Sequence, residues 1–277
     1  MVRVIKYIKG HGMRFTAYFS SRVFGNWYVK VRWISETKIL RNECRNTKML
    51  QKVLMSPDKC AFLCIPPFAF LLTSPLNGVS AHKLLPSIDP KIVIASLWEA
   101  IDSLRQIEAT MGEKMLVPKW MVKKSVSMER IMTLDVSRRK GKELHPDFDE
   151  LSKEKLEKIV RDGKISDART IVHGDLCMPN ILIKQDGKLC GLVDFGATAV
   201  ADPLIDVAIL SWCIRDNMGE YWEEVFLSKY SIKRHDKNIW FYRLAYDLSL
   251  THPKAWRWVN SAKQIYQRKE VEKWISK

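Results

Sequence analysis

Three oxygen-bearing side chains set the chemical question. The stretch "IVHGDLCMPN" (Ile171–Asn180) carries Asp175 and, five positions on, Asn180; "GLVDFG" carries Asp194. Between them, "ILIKQDGKLCGLV" holds two apolar runs on either side of Asp186-Gly187, and Asp-Gly is the preferred two-residue hairpin turn. If that dipeptide is the turn, Gln185 pairs with Lys188 and Asn180 falls opposite Val193, next to Asp194. The open end of the hairpin then gathers Asn180 and Asp194, with Asp175 supplied by the loop before it. Such hard oxygen ligands suit Mg²⁺, which shares its coordination with phosphates. One acid to orient and deprotonate a hydroxyl, and two groups to hold a metal, is what phosphoryl transfer requires. Any one of these residues could simply cap a turn. All three together, in this order and spacing, point to the site.

The elements that must position them can be read from the pattern. Residues 4–34 alternate apolar and polar positions with breaks at Gly10, Gly12 and "FGN", which predicts a β-meander. Within it "WYVKVRW" is a strand on which Tyr28, Lys30 and Arg32 share one face, so Lys30 projects from a fixed platform. "TKILRNECRNTKMLQKVL" predicts a helix with Ile39, Cys44, Met49 and Val53 inward and Glu43 in its first half. Residues 61–73 give a further pair of apolar runs. "SPLNG" (Ser74–Gly78) then breaks the pattern and is the expected linker.

Beyond it, "DPKIVIASLWEAIDSLRQIEAT" reads as a helix capped by Asp89, with Pro90 at its first position and a stripe of Val93, Leu97, Ala100, Ile101 and Leu104. Residues 112–150 are the least legible. A helix is expected at about 150–162, and mostly helix from about 204 onward. No internal repeat or low-complexity tract is present.

Composition narrows the partners. The 277 residues carry a formal charge of +15, unevenly spread. Residues 1–73 hold 13 Lys/Arg against 3 acids, whereas residues 201–224 hold six acids and one Arg. No nucleic-acid motif accompanies the basic surplus, so specific nucleic-acid binding is not expected. No apolar run approaches the roughly 18–20 residues that cross a bilayer, and the opening residues interleave charge too closely for a signal peptide. The six cysteines are scattered, with no CxxC pair. Free thiols in a soluble, cytoplasmic protein are therefore expected.

The segment "HGDLCMPN…LVDFG", and the likeness that continues through "VADPLIDVAILSWCIRD", resembles the aminoglycoside phosphotransferases, nearest to the kanamycin- and streptomycin-modifying members. The resemblance is specific at residues 171–217 and loose over 79–165. It implies an α+β, two-lobe protein-kinase-like fold: a small antiparallel β lobe over residues 1–73, a hinge at 74–78, and a mainly helical lobe over 79–277. It also implies roles. Asp175 is the base or orienting group for the acceptor hydroxyl, and Asn180 and Asp194 hold Mg²⁺. Lys30 contacts the α/β-phosphates and pairs with Glu43. Gly10 and Gly12 belong to a nucleotide loop. Backbone groups of Ser74 and Leu76 meet the adenine of ATP, with GTP left open. His173 is structural and Asp206 anchors the catalytic loop.

The chain departs from the family after "DFG", where "ATAVAD" replaces the usual Arg and Gly, and near its end, where an acidic pair is reduced to Asp247 in "AYDLS". A small cationic acceptor should meet acids, and Asp216, Glu220, Asp247 and the loop "HPDFDE" are the candidates. The implied activity is ATP- and Mg²⁺-dependent phosphorylation of an aminoglycoside hydroxyl, by a monomer or weak dimer. Two alternatives stay open: a kinase of the same fold acting on a metabolite or macrolide, and a non-catalytic nucleotide-binding or basic interaction protein.

Overall fold

The computed structural model describes residues 2–9, 15–21, 25–112, 115–133, 144–149 and 151–250. Gly10 and Gly12 lie outside them. The meander is present as β1 (Val2–Lys9), β2 (Phe15–Ser21) and β3 (Gly25–Trp33), which pair antiparallel in sequence. Two more strands, β4 (Cys60–Ile65) and β5 (Phe68–Thr73), complete a five-stranded antiparallel sheet in the order β1-β2-β3-β5-β4. Helix α1 (Thr37–Leu50) packs on it through a small core of Leu40, Cys44, Ala69 and Leu71.

The inward face of α1 differs from the expected one. Ile39 and Val53 are exposed, Val53 lying beyond the helix end, and Met49 is half-buried. The buried positions are Leu40, Glu43, Cys44, Asn46, Thr47 and Leu50. They follow the three-to-four spacing of a helix face, but half of them are polar. Those polar groups serve the site, so an apolar-inward rule mislocates the face.

The second part is built on helices. After β6 (Val79–Ser80) and α2 (Ala81–Leu84), the long α3 (Pro90–Arg105) starts where Asp89 accepts a hydrogen bond from the Lys91 N–H at 2.8 Å. Its expected stripe is wholly buried. Short helices α4 (Lys119–Val122), α5 (Lys124–Thr133) and α6 (Pro146–Asp149) lie in the described part of the stretch whose pattern was illegible. Next comes α7 (Lys153–Asp162), capped by Ser152. The strands β7 (Thr170–Val172), β8 (Ile181–Ile183), β9 (Leu189–Leu192) and β10 (Ala199–Ala201) form two small sheets, β10-β7 and β6-β8-β9. Three helices close the described chain: α8 (Leu204–Met218), α9 (Glu220–Ser228) and α10 (Lys237–Ser249). Helix α8 is buried almost all round, as expected of a central helix. Among the described residues no helix is long and apolar enough to cross a membrane.

Candidate active site

The β8-β9 hairpin brings the oxygen ligands together by a different route from the one expected. Lys184 N–H donates to Lys188 O at 2.9 Å, so three residues, Gln185–Gly187, form the loop rather than two. Gly187 takes the left-handed φ of +85° that ends such a loop. The strand register then shifts by one between Leu182 and Ile183, with Cys190 as the extra residue. The bulge cancels the longer loop. Ile181 pairs with Leu192, and Val193 N–H donates to Asn180 O at 3.1 Å, the register the two-residue turn would have given.

Asp175 projects from the loop between β7 and β8. Gly174 before it has φ +78° and lies against Ala197 O, an approach that leaves no room for a side chain. Asp206, at the start of α8, accepts from both the His173 N–H (2.7 Å) and the Gly174 N–H (2.9 Å) and fixes the loop's backbone. His173 is fully buried. Its Nε2 lies 2.9 Å from Val193 O and its Nδ1 accepts from the Asp175 N–H at 3.3 Å. Burial pushes its pKa down to about 4, so the ring is neutral and donates through Nε2. It ties the Asp175 loop to the strand leading into Asp194 and is not placed to carry a proton.

Both oxygens of the Asp175 carboxylate are engaged. Asn180 Nδ2 donates to Oδ2 at 3.2 Å and to the backbone carbonyl of Asp175 at 2.8 Å, and the Tyr246 hydroxyl donates to Oδ1. Burial, and then the negative charge of Asp194, push the Asp175 pKa up to about 6 against those hydrogen bonds. A base poised near neutrality suits proton abstraction from a hydroxyl.

On the facing side, Lys30 Nζ lies 2.6 Å from Glu43 Oε1 and 3.0 Å from Asp194 Oδ1. Burial works against the Lys30 ammonium, but the carboxylates of Asp194 and Glu43 outweigh it and hold its pKa above the usual value. Partial burial works against the Asp194 anion too, but the Lys30 ammonium outweighs it and holds its pKa low. Helix α1 reaches the same loop through Asn42, which donates to Gly196 O (3.0 Å), and Asn46, which donates to Phe195 O (2.9 Å) and Thr198 O (3.2 Å). Lys30, Glu43, Asp194, Asn180 and Asp175 thus form one linked constellation.

Asp194 itself takes a left-handed φ of +71° and its side chain is 43% exposed, so an ionised carboxylate faces open space. With its nitrogen bound to Asp175, the Asn180 amide has its oxygen to offer. One carboxylate and one amide oxygen suit Mg²⁺, whose remaining ligands come from phosphates and water. The donor set fits.

At the linker, Ser74 N–H already donates to Lys59 O at 2.9 Å, and its hydroxyl to Asp58. Of the Ser74 backbone only the carbonyl remains for a base. The Leu76 side chain packs beside Gly191 on β9.

The expected substrate acids are placed differently. Asp216 is buried with its Oδ2 2.9 Å from His145 Nε2, and Asp247 is buried accepting from the His145 N–H at 2.8 Å. In the "HPDFDE" loop, Asp147 pairs with Arg215 and accepts from Trp212 Nε1 at 2.8 Å. Burial works against the His145 cation, but its hydrogen bonds to Asp147 and Asp216 and their negative charge outweigh burial and hold its pKa above the usual value. These acids form an internal network rather than a row of free carboxylates. Glu220 is exposed, yet it pairs with Arg234 at 2.5 Å.

Residues 60–237 match the sequence profile described as the phosphotransferase enzyme family. The chain belongs to that family. Among characterised proteins it is 24% identical over 190 residues to an aminoglycoside 3'-phosphotransferase of Escherichia coli, 65% of either chain. It is 33% identical over 91 residues to that of Enterococcus faecalis, 32% of this chain and 34% of the relative. The match therefore spans less than two thirds of either relative's length. The solved structure of aminoglycoside phosphotransferase APH(3'')-Id from Streptomyces rimosus superposes with a TM-score of 0.65 at 20% identity, covering 88% of this chain and 91% of that one. The same protein solved with ADP and streptomycin gives 0.61, again at 20% identity and covering 87% and 91%. The fold is thus the two-lobe, kinase-like one, with an antiparallel β lobe and a helical lobe.

Within this family member, Tyr246 is the site residue that sequence reasoning missed. It stands next to Asp247 in "AYDLS", where attention went to the charge. The asparagines 42 and 46 were missed for a similar reason, since polar residues in an amphipathic helix read as its solvent face. No local signal marked Asn42. A count of which polar residues share the Glu43 face would have found Asn46.

Proposed function

We propose that the chain is an ATP- and Mg²⁺-dependent O-phosphotransferase that phosphorylates a hydroxyl of an aminoglycoside antibiotic and so confers resistance. The observation that carries this reading is the single constellation in which Asp175, bound to Asn180, faces the Lys30–Glu43–Asp194 ion-pair cluster. In it Asp175 orients the acceptor hydroxyl and takes its proton as the oxygen attacks the γ-phosphorus. Lys30, steadied by Glu43, turns from Asp194 toward the α/β-phosphates. Asn180 and Asp194 would hold Mg²⁺, which would offset the charge of the phosphates. Residues 1–73 and 79–277 are the two lobes, with 74–78 as the hinge where the Ser74 carbonyl and Leu76 meet the adenine. All six cysteines are free, which fits a reducing cytoplasm.

A second reading, a kinase of the same fold for a less cationic hydroxyl compound, is favoured by one observation. Asp216 and Asp247, two of the acids expected to meet a polycation, are occupied by His145.

A coupled ADP-release assay with purified protein and Mg-ATP tests both, using kanamycin-type, streptomycin-type, macrolide and small amine acceptors. Turnover on the first two classes, abolished in Asp175→Asn with nucleotide affinity kept within a few-fold, is the expected result. Asp194→Ala should instead lose Mg-dependent nucleotide binding. Turnover confined to macrolides or metabolite amines moves the assignment to the second reading. Tight nucleotide binding without any transfer would overturn both.

A further inference from the structure

The Tyr246 hydroxyl donates to Oδ1 of Asp175, while Oδ2 is taken by Asn180 at 3.2 Å. The free protein therefore already presents to its base the functional group that an acceptor would bring. Tyr246 comes from α10, is nearly buried, and has Trp120 of α4 edge-on to its ring at 5.9 Å. One turn earlier on the same helix, Tyr242 makes an equivalent buried bond, donating to Asp202 Oδ2 at 2.7 Å. Asp202 also accepts from the Ser166 and Leu204 N–H groups and fixes local backbone. The two tyrosines share chemistry and helix, but only one of them reaches the base.

We propose that Tyr246 is a positioning residue that occupies the acceptor-hydroxyl seat on Asp175 and keeps water from it until an acceptor displaces the phenol. The reasoning rests on the phosphotransferase reading above. A kinase that holds nucleotide beside an ionised carboxylate risks a side reaction. Water gives its proton to the carboxylate, a bond forms from the water oxygen to the γ-phosphorus, and the bond to the β–γ bridging oxygen breaks. ADP leaves with that electron pair, and the products are ADP and inorganic phosphate. A phenol on Oδ1 blocks this reaction by holding, through its own hydroxyl, the seat at which a water would donate to Asp175. Tyrosine does not itself become the acceptor as long as its oxygen stays off the in-line path.

The test compares Tyr246→Phe with Tyr242→Phe, which removes a similar buried hydrogen bond outside the site. Both are made in the full chain, with thermal melts alongside. Tyr246→Phe should raise acceptor-independent Mg-ATP hydrolysis and lower the acceptor KM with kcat little changed. Each effect should be on the order of tenfold, the worth of one hydrogen bond to a charged group. Tyr242→Phe should lower stability with neither kinetic effect. Tyr246→Leu carries the same measurement if the Phe variant does not fold. Wild-type transfer that disappears in Asp175→Asn, together with unchanged hydrolysis and KM in Tyr246→Phe, overturns the inference and leaves the kinase reading standing. A wild type that neither transfers nor hydrolyses takes down both.

Discussion

Replacing Gly174 by Ala probes how closely the two loops of the site are fitted. Gly174 has φ +78°, and a Cβ there would lie 2.4 Å from Met121 Cε and 2.5 Å from Ala197 O. The methionine end can move, but the carbonyl belongs to the backbone just after Asp194 and cannot swing away alone. Two costs therefore add. The left-handed backbone costs a residue with a Cβ about 1 kcal/mol, and overpacking against a fixed neighbour costs about 1–3 kcal/mol more. The sum is about 2–4 kcal/mol. Gly25 provides the control, because its φ is +75° and nothing lies within 4 Å of its would-be Cβ. Gly25→Ala should cost only the first contribution, about 1 kcal/mol. Urea unfolding of both variants, followed by tryptophan fluorescence, isolates the close approach as the difference. Because the clash pushes the Asp175 loop away from the Asp194 loop, turnover should fall far more in Gly174→Ala than in Gly25→Ala. A misplacement approaching 1 Å is worth up to about a hundredfold in rate. Equal unfolding midpoints for the two variants would refute the reasoning.

Three further outcomes are expected. The proposed base Asp175 would work as its anion, and burial has moved its pKa from 3.8 up to about 6, so the acid limb is expected near pH 6. The kcat/KM for acceptor should drop about tenfold per pH unit below it, and a profile flat down to pH 5 would contradict the assignment. Asp206→Ala leaves the His173 and Gly174 N–H groups buried without their acceptor; at about 1–3 kcal/mol each, urea titration should show a loss of about 2–6 kcal/mol, while a loss below 1 kcal/mol would deny the anchoring role. Thiol titration of denatured, unreduced protein should count all six cysteines, including Cys44 and Cys60, whose Sγ atoms lie 3.2 Å apart; a count of four would mean that pair is bridged.

The parts of this molecule that were legible are those where local pattern and tertiary demand agree. The α3 stripe, the meander and the Asp89 cap are of this kind, since each follows from periodicity or one capping side chain. The hairpin was legible at its open end and not at its tip. A one-residue error in the loop was cancelled by a one-residue bulge at Cys190, and nothing in "QDGKLCG" announces either. The α1 face was misjudged because Glu43 and Asn46 are buried for what they hold, against their own solvation preference. The fate of Asp216 and Asp247 was illegible because it depends on His145, roughly 70 and 100 residues away in the chain. Tyr246 was missed because a phenol carries no charge for a sequence pattern to display.

Three side-chain amide hydrogen bonds, from Asn42 and Asn46 to the carbonyls of Phe195, Gly196 and Thr198, join α1 to the loop that follows Asp194. Asn46 is fully buried, and its own oxygen has no hydrogen-bond partner, so its side chain is held there for its donor. In a kinase-like fold the helix bearing the glutamate is the part whose displacement switches catalysis off. Here that displacement would strip three backbone carbonyls of their amide donors, at the cost of three hydrogen bonds. On the phosphotransferase reading, helix α1 supplies no idle setting. Control would then fall to how much protein is made and to what reaches Asp175, because α1 is a poor handle for any signal that would turn it down.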